Sequence, residues 1–156
     1  MHIEIHPVTA EDVEFVATHL READRLELSL SRPAIAPPDT VREAAAISES
    51  CRVLRAGDEA VVIFGVVAAR ADPILHYGVP WMVASDRIAE IRKGFIEASR
   101  IEVEAMHARF PVLYNRVHRD NKVSMRWLRW LGFTIETTPT GPDNQFLNFS
   151  MEHDHV

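Results

Sequence analysis

The chain has 156 residues, 47% hydrophobic and 26% charged, with a formal net charge of −6. A chain of this length fits one domain, here residues 1–156, that buries roughly 70% of its unfolded surface, and the fractions exclude a disordered or fibrous protein. The acidic balance argues against nonspecific nucleic-acid binding, which is driven by basic charge displacing counterions.

Ile3 and Ile5 alternate with polar neighbours as a short strand does, and Pro7 ends it before Thr9, a helix cap for the segment through Phe15, Val16 and Leu20. A second helix from about Arg21 to Leu30 gives way to the proline-rich loop Arg32 to Pro38. Asp39 or Thr40 then caps a third helix that reaches about Ser48. From Cys51 the period changes. Cys51 to Leu54, a turn over Ala56 to Glu59, and the β-branched run Val61 to Val67 read as a hairpin. Cys51 is the sole cysteine, which rules out an intrachain disulfide and points to a reducing compartment. The longest apolar run, Ala60 to Ala69, is half the roughly 20 residues of a membrane helix. With no signal-peptide pattern at the N-terminus, a chain neither secreted nor membrane-spanning is expected.

A loop with Pro73, Gly78 and Pro80 leads to a strand over Trp81 to Ala84. Ile96, Ser99, Val103, Met106 and Phe110 recur at helical spacing and predict a long helix stopped by Pro111. Val112 to Val117 is a strand, and Asn121 to Leu131 a short helix ended by Gly132. In that helix Val123, Trp127, Trp130 and Leu131 read as the apolar side. Phe133 to Thr137 and Phe146 to Met151 close the chain as a hairpin around Thr140 to Asn144. This order predicts an α/β sheet with helices on both faces, without fixing which strands pair.

Charge is unevenly placed. The first 50 residues carry ten carboxylates against four arginines, whereas Arg116, Arg119, Lys122, Arg126 and Arg129 face only Asp120 between positions 116 and 129. That basic segment reads either as a solvated helix face or as a site for an anion or acidic partner. His153, Asp154 and His155 have metal-ligand types, but a chain end lacks a rigid supporting shell, so no metal site is expected.

The block from Asn121 to Phe133, which places an Asn and the small Ser124 before a helix ending in Leu131, Gly132 and Phe133, resembles the last conserved block of the GNAT acetyltransferase superfamily. The preceding strand and long helix match it in length and order. Trp81 to Asp86, Phe110 to Asn115 and Arg126 to Phe133 further resemble the GNAT-like proteins of short-tailed bacteriophages, a group that includes internal virion proteins. The superfamily resemblance implies a mixed, mostly antiparallel sheet in which the strands at Trp81 to Ala84 and Val112 to Val117 form one splayed parallel pair. It implies acetyl-CoA or CoA in that splay, with the pyrophosphate at the start of the long helix, where free N–H groups and the helix dipole favour an anion. Carried onto this chain, the contacts are Val83, Ala84, Arg92, Lys93, Gly94, Phe95, Asn121 and Ser124.

Two departures bear on catalysis. The family's phosphate turn, a Gln or Arg followed by two spaced glycines, falls at Ala89 to Gly94, where Arg92 replaces the first glycine and only Gly94 remains. Arg92 and Lys93 there read as phosphate contacts or as an exposed helix start, and Gly94 as a close-packing position. The tyrosine that serves as acid to the leaving thiolate is replaced by Leu128. Tyr114, His118 and Ser124 are the nearby substitutes, none at a position the family fixes. Three functions stay open: an active acyl-CoA-dependent N-acyltransferase acting on a small amine or protein amine, an acyl-CoA-binding module without turnover, and a weakly active or noncatalytic component of a phage particle. The third implies other virion proteins or further copies of the chain as partners, in the host cytoplasm or the particle.

Overall fold

A computed structural model describes residues 2–69 and 76–152. His153, Asp154, His155 and Pro73 lie outside the described residues.

Thr9 opens the first helix, α1 (Ala10–Thr18), with a reciprocal cap. The Asp12 N–H donates to the Thr9 hydroxyl at 3.2 Å, and the Thr9 N–H donates to the Asp12 carboxylate at 2.9 Å, satisfying two donors that a helix start leaves orphaned. Next come α2 (Glu22–Ser31) and α3 (Pro37–Ile47). The third helix begins two residues before Asp39, because the ring of a proline at N1 already holds the helical φ and its missing N–H is no loss there.

The strands are β1 (Ile3–Pro7), β2 (Ser50–Ala56), β3 (Glu59–Ala68), β4 (Tyr77–Ala84), β5 (Val112–His118), β6 (Thr134–Ile135) and β7 (Phe146–Glu152). They form one sheet in the order β1-β2-β3-β4-β5-β7-β6. Every pairing is antiparallel except β4 with β5, which is parallel because α4 (Arg92–Arg109) forms the crossover between them. That pair is in register only at Tyr77↔Val112 and Gly78↔Leu113 and then parts. The expected splayed parallel pair is therefore present.

Side chains alternate across the sheet and feed two cores. Val53, Ile63 and Val83 face α1 and α3, with Val16, Ala17 and Val41. Leu54, Phe64 and Val66 face α4 and α5 (Lys122–Leu131), with Phe95, Met106 and Leu128. No helix among the described residues is long and apolar enough to cross a membrane.

Two further sequence expectations need correction. The fourth strand starts at Tyr77, so Gly78 and Pro80 lie inside it and not in a loop. A proline is tolerated there because its absent N–H would have pointed into the gap between β4 and β5, where no strand waits to accept it. On α5 the buried face is Met125 and Leu128, with Trp127 and Leu131 packed against the core, while Val123 and Trp130 are 74% and 48% exposed. A turn of 3.6 residues places Val123 and Trp130 opposite Met125 and Leu128. Trp130 instead lies under the Arg100 guanidinium, 4.3 Å from its centroid, a cation–π contact.

Gly65 lies opposite Trp81, whose indole N–H donates to Ser48 Oγ at 2.8 Å and ties β4 to the end of α3. A Cβ at Gly65 would stand 2.3 Å from the indole ring. Gly65→Ala should therefore cost about 2 kcal/mol or more in urea denaturation; an unchanged midpoint would mean that the ring can move freely. On the opposite face, burial pushes the Glu102 carboxyl above its usual range, and Arg52, 3.7 Å away, offsets only part of the shift. A raised carboxyl favours folding least when ionised, so its cost is absent below the unfolded pKa of about 4.3 and grows as pH rises through the folded value. Glu102→Gln should raise the melting temperature near pH 7 and leave it unchanged near pH 4.

Candidate functional site

The parting of β4 and β5 creates two strand edges without partners, and each backbone group on them must be satisfied or reach solvent. Ser85 donates its N–H to Val61 of β3 at 2.9 Å. Because hydrogen-bonding direction alternates along a strand, Pro80, Met82 and Ala84 turn their groups toward β5. The Arg119 N–H donates to Gln145 at 2.9 Å beside β7, so Arg116 and His118 turn theirs toward β4.

Asn115 bridges the narrow part of the gap. Its amide donates to the Pro80 carbonyl at 2.7 Å, and its oxygen accepts the Arg116 N–H at 2.8 Å. The wide part is spanned by α2. Asp24 accepts the Ala84 N–H at 2.8 Å, and the Arg21 N–H donates to the Ala84 carbonyl at 3.0 Å. One turn along, Glu27 Oε1 accepts the His118 N–H at 3.0 Å and the Asn121 side-chain amide at 3.0 Å. Arg21 holds Asp24 through two further bonds of 2.8 and 3.0 Å. Between these bridges Met82 turns its backbone N–H and C=O toward the gap with no strand opposite, and Arg116 turns its C=O there.

A cavity of about 360 Å³ runs through this gap. Arg21, Asp24, Glu27 and Arg116 line its α2 side, and Ser99, Ser124, Trp127 and Leu128 its α4–α5 side. Of the cofactor contacts expected from sequence, Val83 and Ser124 line it directly. Ala84 and Asn121 border it through their bonds to Asp24 and Glu27. Asn121 also caps α5, its oxygen accepting the Ser124 N–H at 3.1 Å.

The remaining residues of interest lie outside the cavity lining, Leu128 excepted. Arg92 and Lys93 are exposed at the start of α4, which no side chain caps. Gly94 packs on the edge strand, where a Cβ would come within 2.7 Å of Ile3 Cδ1. The Phe95 ring is buried between Phe64 and Trp127, with centroids at 6.0 and 5.3 Å. Tyr114 is 38% exposed and meets Tyr77 edge-on at the paired base of the two strands. His118 is buried, not solvated as a strand-end histidine would be, with its ring edge-on to Phe146. Its Nδ1 accepts the Asp120 N–H at 3.2 Å. Leu128 is 5% exposed and supplies only hydrocarbon to the cavity wall. Cys51 is half-buried on β2, away from the gap, and burial pushes its thiol up to about 11, so it is no nucleophile at neutral pH. Among the described residues no group of three His, Cys, Asp or Glu side chains gathers as a metal site.

Arg116 belongs to the basic segment that reads either as a solvated face or as an anion site, whereas Arg21, Asp24, Glu27 and Asn115 were not expected at a site. The available signal was the i,i+3 spacing of Asp24 and Glu27, which puts both carboxylates on one face of α2 beside Leu28. If these bonds hold the gap, Asp24→Ala should cost about 2–4 kcal/mol in chemical denaturation, since it strands the Ala84 N–H and the Arg21 charge together. Asp24→Asn keeps an acceptor for Ala84 and should cost less; equal losses would assign the effect to the ion pair alone.

No family model and no curated protein matches the sequence. Solved structures do match, over nearly the whole chain. A ribosomal-protein-alanine N-acetyltransferase from Brucella melitensis aligns at 14% identity with a TM-score of 0.72, covering 96% of this chain and 99% of that one. A GNAT-family acetyltransferase from Streptococcus pneumoniae aligns at 14% identity and a TM-score of 0.63, over 97% and 99%. A Salmonella typhimurium protein solved with its cofactor acetyl-CoA aligns at 14% identity and 0.67, over 99% and 95%. The chain has the fold of the GNAT acetyltransferases.

Proposed function

We propose that the protein keeps the ligand cleft of the GNAT fold but has lost most or all of the transfer chemistry, and that it acts as a binding or structural component. One observation carries this reading: the Asp24 carboxylate sits 2.8 Å from the Ala84 N–H. Acyl transfer develops negative charge on the thioester carbonyl oxygen, and strand N–H groups facing the gap are the natural donors for it. A carboxylate already bonded to one of them withdraws that donor and repels the oxyanion. Leu128 adds a second deficit, because losing a positioned general acid typically costs on the order of 10² to 10⁴ in rate. The sequence resemblance to GNAT-like phage proteins motivates the biological setting, an internal or structural component of a phage particle with other virion proteins as partners.

The cavity and the open Met82 edge favour a second reading, an acyl-CoA-dependent N-acyltransferase. Val83, Ala84, Asn121 and Ser124 would then meet the pantetheine arm. Arg92, Lys93, Gly94 and Phe95 would meet the phosphates from the start of α4. His118, Ser124 or Tyr114 would have to supply the acid. A bound acyl-CoA would bring the reactive thioester; the chain's own residues would orient it and exclude water.

Calorimetric titration with acetyl-CoA and CoA, paired with an assay of free CoA thiol across a panel of amines and peptides, separates the readings. The expected result is no thiol release above the uncatalysed rate, with or without cofactor binding. Robust turnover, lost in a folded Ser124→Ala or His118→Ala variant, would overturn the proposal.

A further inference from the structure

The α2 side of the cavity presents two opposite charges whose hydrogen-bonding capacity is only partly used. Glu27 spends one carboxylate oxygen, Oε1, on the His118 and Asn121 donors. Its Oε2 has no hydrogen-bond partner among the described residues. The Arg116 guanidinium carries five donors, yet it makes one long bond, 3.4 Å to Ser31 Oγ, and lies 5.1 Å from the Phe146 ring centroid. No carboxylate among the described residues pairs with it. A half-buried guanidinium left without an anion in a cavity wall is costly unless something supplies one.

The two charges are held apart by rigid elements. Ser31, which marks the guanidinium, is four residues beyond Glu27 on α2, a separation of about 5–6 Å between neighbouring side chains on one helix face. On β5, Arg116 and His118 are two residues apart and point to the same sheet face. Gly141 leaves room for the guanidinium on the far side: at φ +75° it has no side chain where a Cβ would stand 2.6 Å from Arg116 Nη1. Beside the charges, Leu28, Val41, Ala44 and Trp81 form an apolar wall.

We propose that this side of the cavity binds a free apolar α-amino acid, its ammonium on Glu27 Oε2, its carboxylate on Arg116 and Ser31, and its side chain against the Leu28–Val41–Trp81 wall. A simple cation would leave Arg116 without an anion, and a simple anion would leave Glu27 Oε2, already in the field of Arg21, without a donor. A zwitterion carries both charges on one carbon and would meet each group with a charge-assisted hydrogen bond of about 2.8 Å. The site needs no acyl-CoA, so its failure and that of the proposed function are read separately. Were transfer found, the same ammonium would face the gap as the acceptor.

The test is calorimetric titration of the wild-type chain with L-leucine, L-methionine and L-phenylalanine, then with L-leucinamide and N-acetyl-L-leucine. At least one free amino acid should bind. The amide, which lacks the carboxylate, and the acetyl derivative, which lacks the ammonium, should each bind about tenfold or more weakly, the cost of one lost bond to a charged group. Arg116→Gln should abolish the preference for leucine over leucinamide while leaving the discrimination against N-acetyl-leucine; Glu27→Gln, which keeps an oxygen for His118, should do the reverse. Absence of heat from all three amino acids up to about 10 mM would overturn the proposal. So would equal affinity for leucine and leucinamide, which would point to a peptide N-terminus, and these ligand comparisons need no mutant to fold.

Discussion

The structure depends on how it settles the hydrogen bonds of two parallel strands that part after two residues of pairing. A parallel pair that diverges inside a sheet leaves a row of N–H and C=O groups on each inner edge, and burying them unpaired would cost more than a domain of this size can offset. Several of these groups have their own answer here. Pro80 has no N–H to satisfy, and Asn115 takes its carbonyl together with the Arg116 N–H. Arg21 and Asp24 take both groups of Ala84, and Glu27 takes the His118 N–H. Met82 is left facing the cavity. A helix on one face of the sheet thus does the work of a missing strand, which is why α2 carries carboxylates where a purely structural helix would carry hydrocarbon.

That solution couples elements distant in sequence. Glu27 reaches His118 and Asn121 over separations of 91 and 94 residues, and Asp24 reaches Ala84 over 60. Asn121 in turn caps α5, so the start of the last helix, the end of β5 and the middle of α2 share one carboxylate. A change at Glu27 acts on all three at once, because a hydrogen-bond network does not divide into independent pairs.

Local and long-range signals differed in how legible they were. The Thr9 cap, the Gly132 terminator at φ +109°, the hairpin between β2 and β3, and the long helix before Pro111 are recorded in a few neighbouring residues, and they stand where the sequence places them. The splayed pair was accessible through the Asn121 to Phe133 block and the crossover helix between the strands. What escaped were features set by tertiary partners. Pro80 reads as a strand breaker unless one knows that its N–H side faces a gap. Asp24 and Glu27 carry no local mark of burial, and only the N–H groups of Ala84 and His118 that they accept draw them to the gap. Trp130 reads as core by composition, yet the helical angle turns it outward under Arg100.

The same bonds that stabilise the gap constrain what can happen inside it. A cleft used for acyl transfer needs donors that are fixed in place but unoccupied, since catalysis draws on interactions that strengthen as charge develops. A donor that already binds a carboxylate is satisfied in the resting state, and exchanging that partner for an oxyanion gains little. Evolution of a strand edge toward self-satisfaction therefore trades chemistry for stability without altering the fold. Two features bear on the proposed loss of transfer: on β4 an anion holds the Ala84 amide, and on α5 a buried leucine faces the cavity without a proton to give. The cavity remains, lined by the free Oε2 of Glu27 and by the Arg116 guanidinium, and the proposed binding role rests on these two groups.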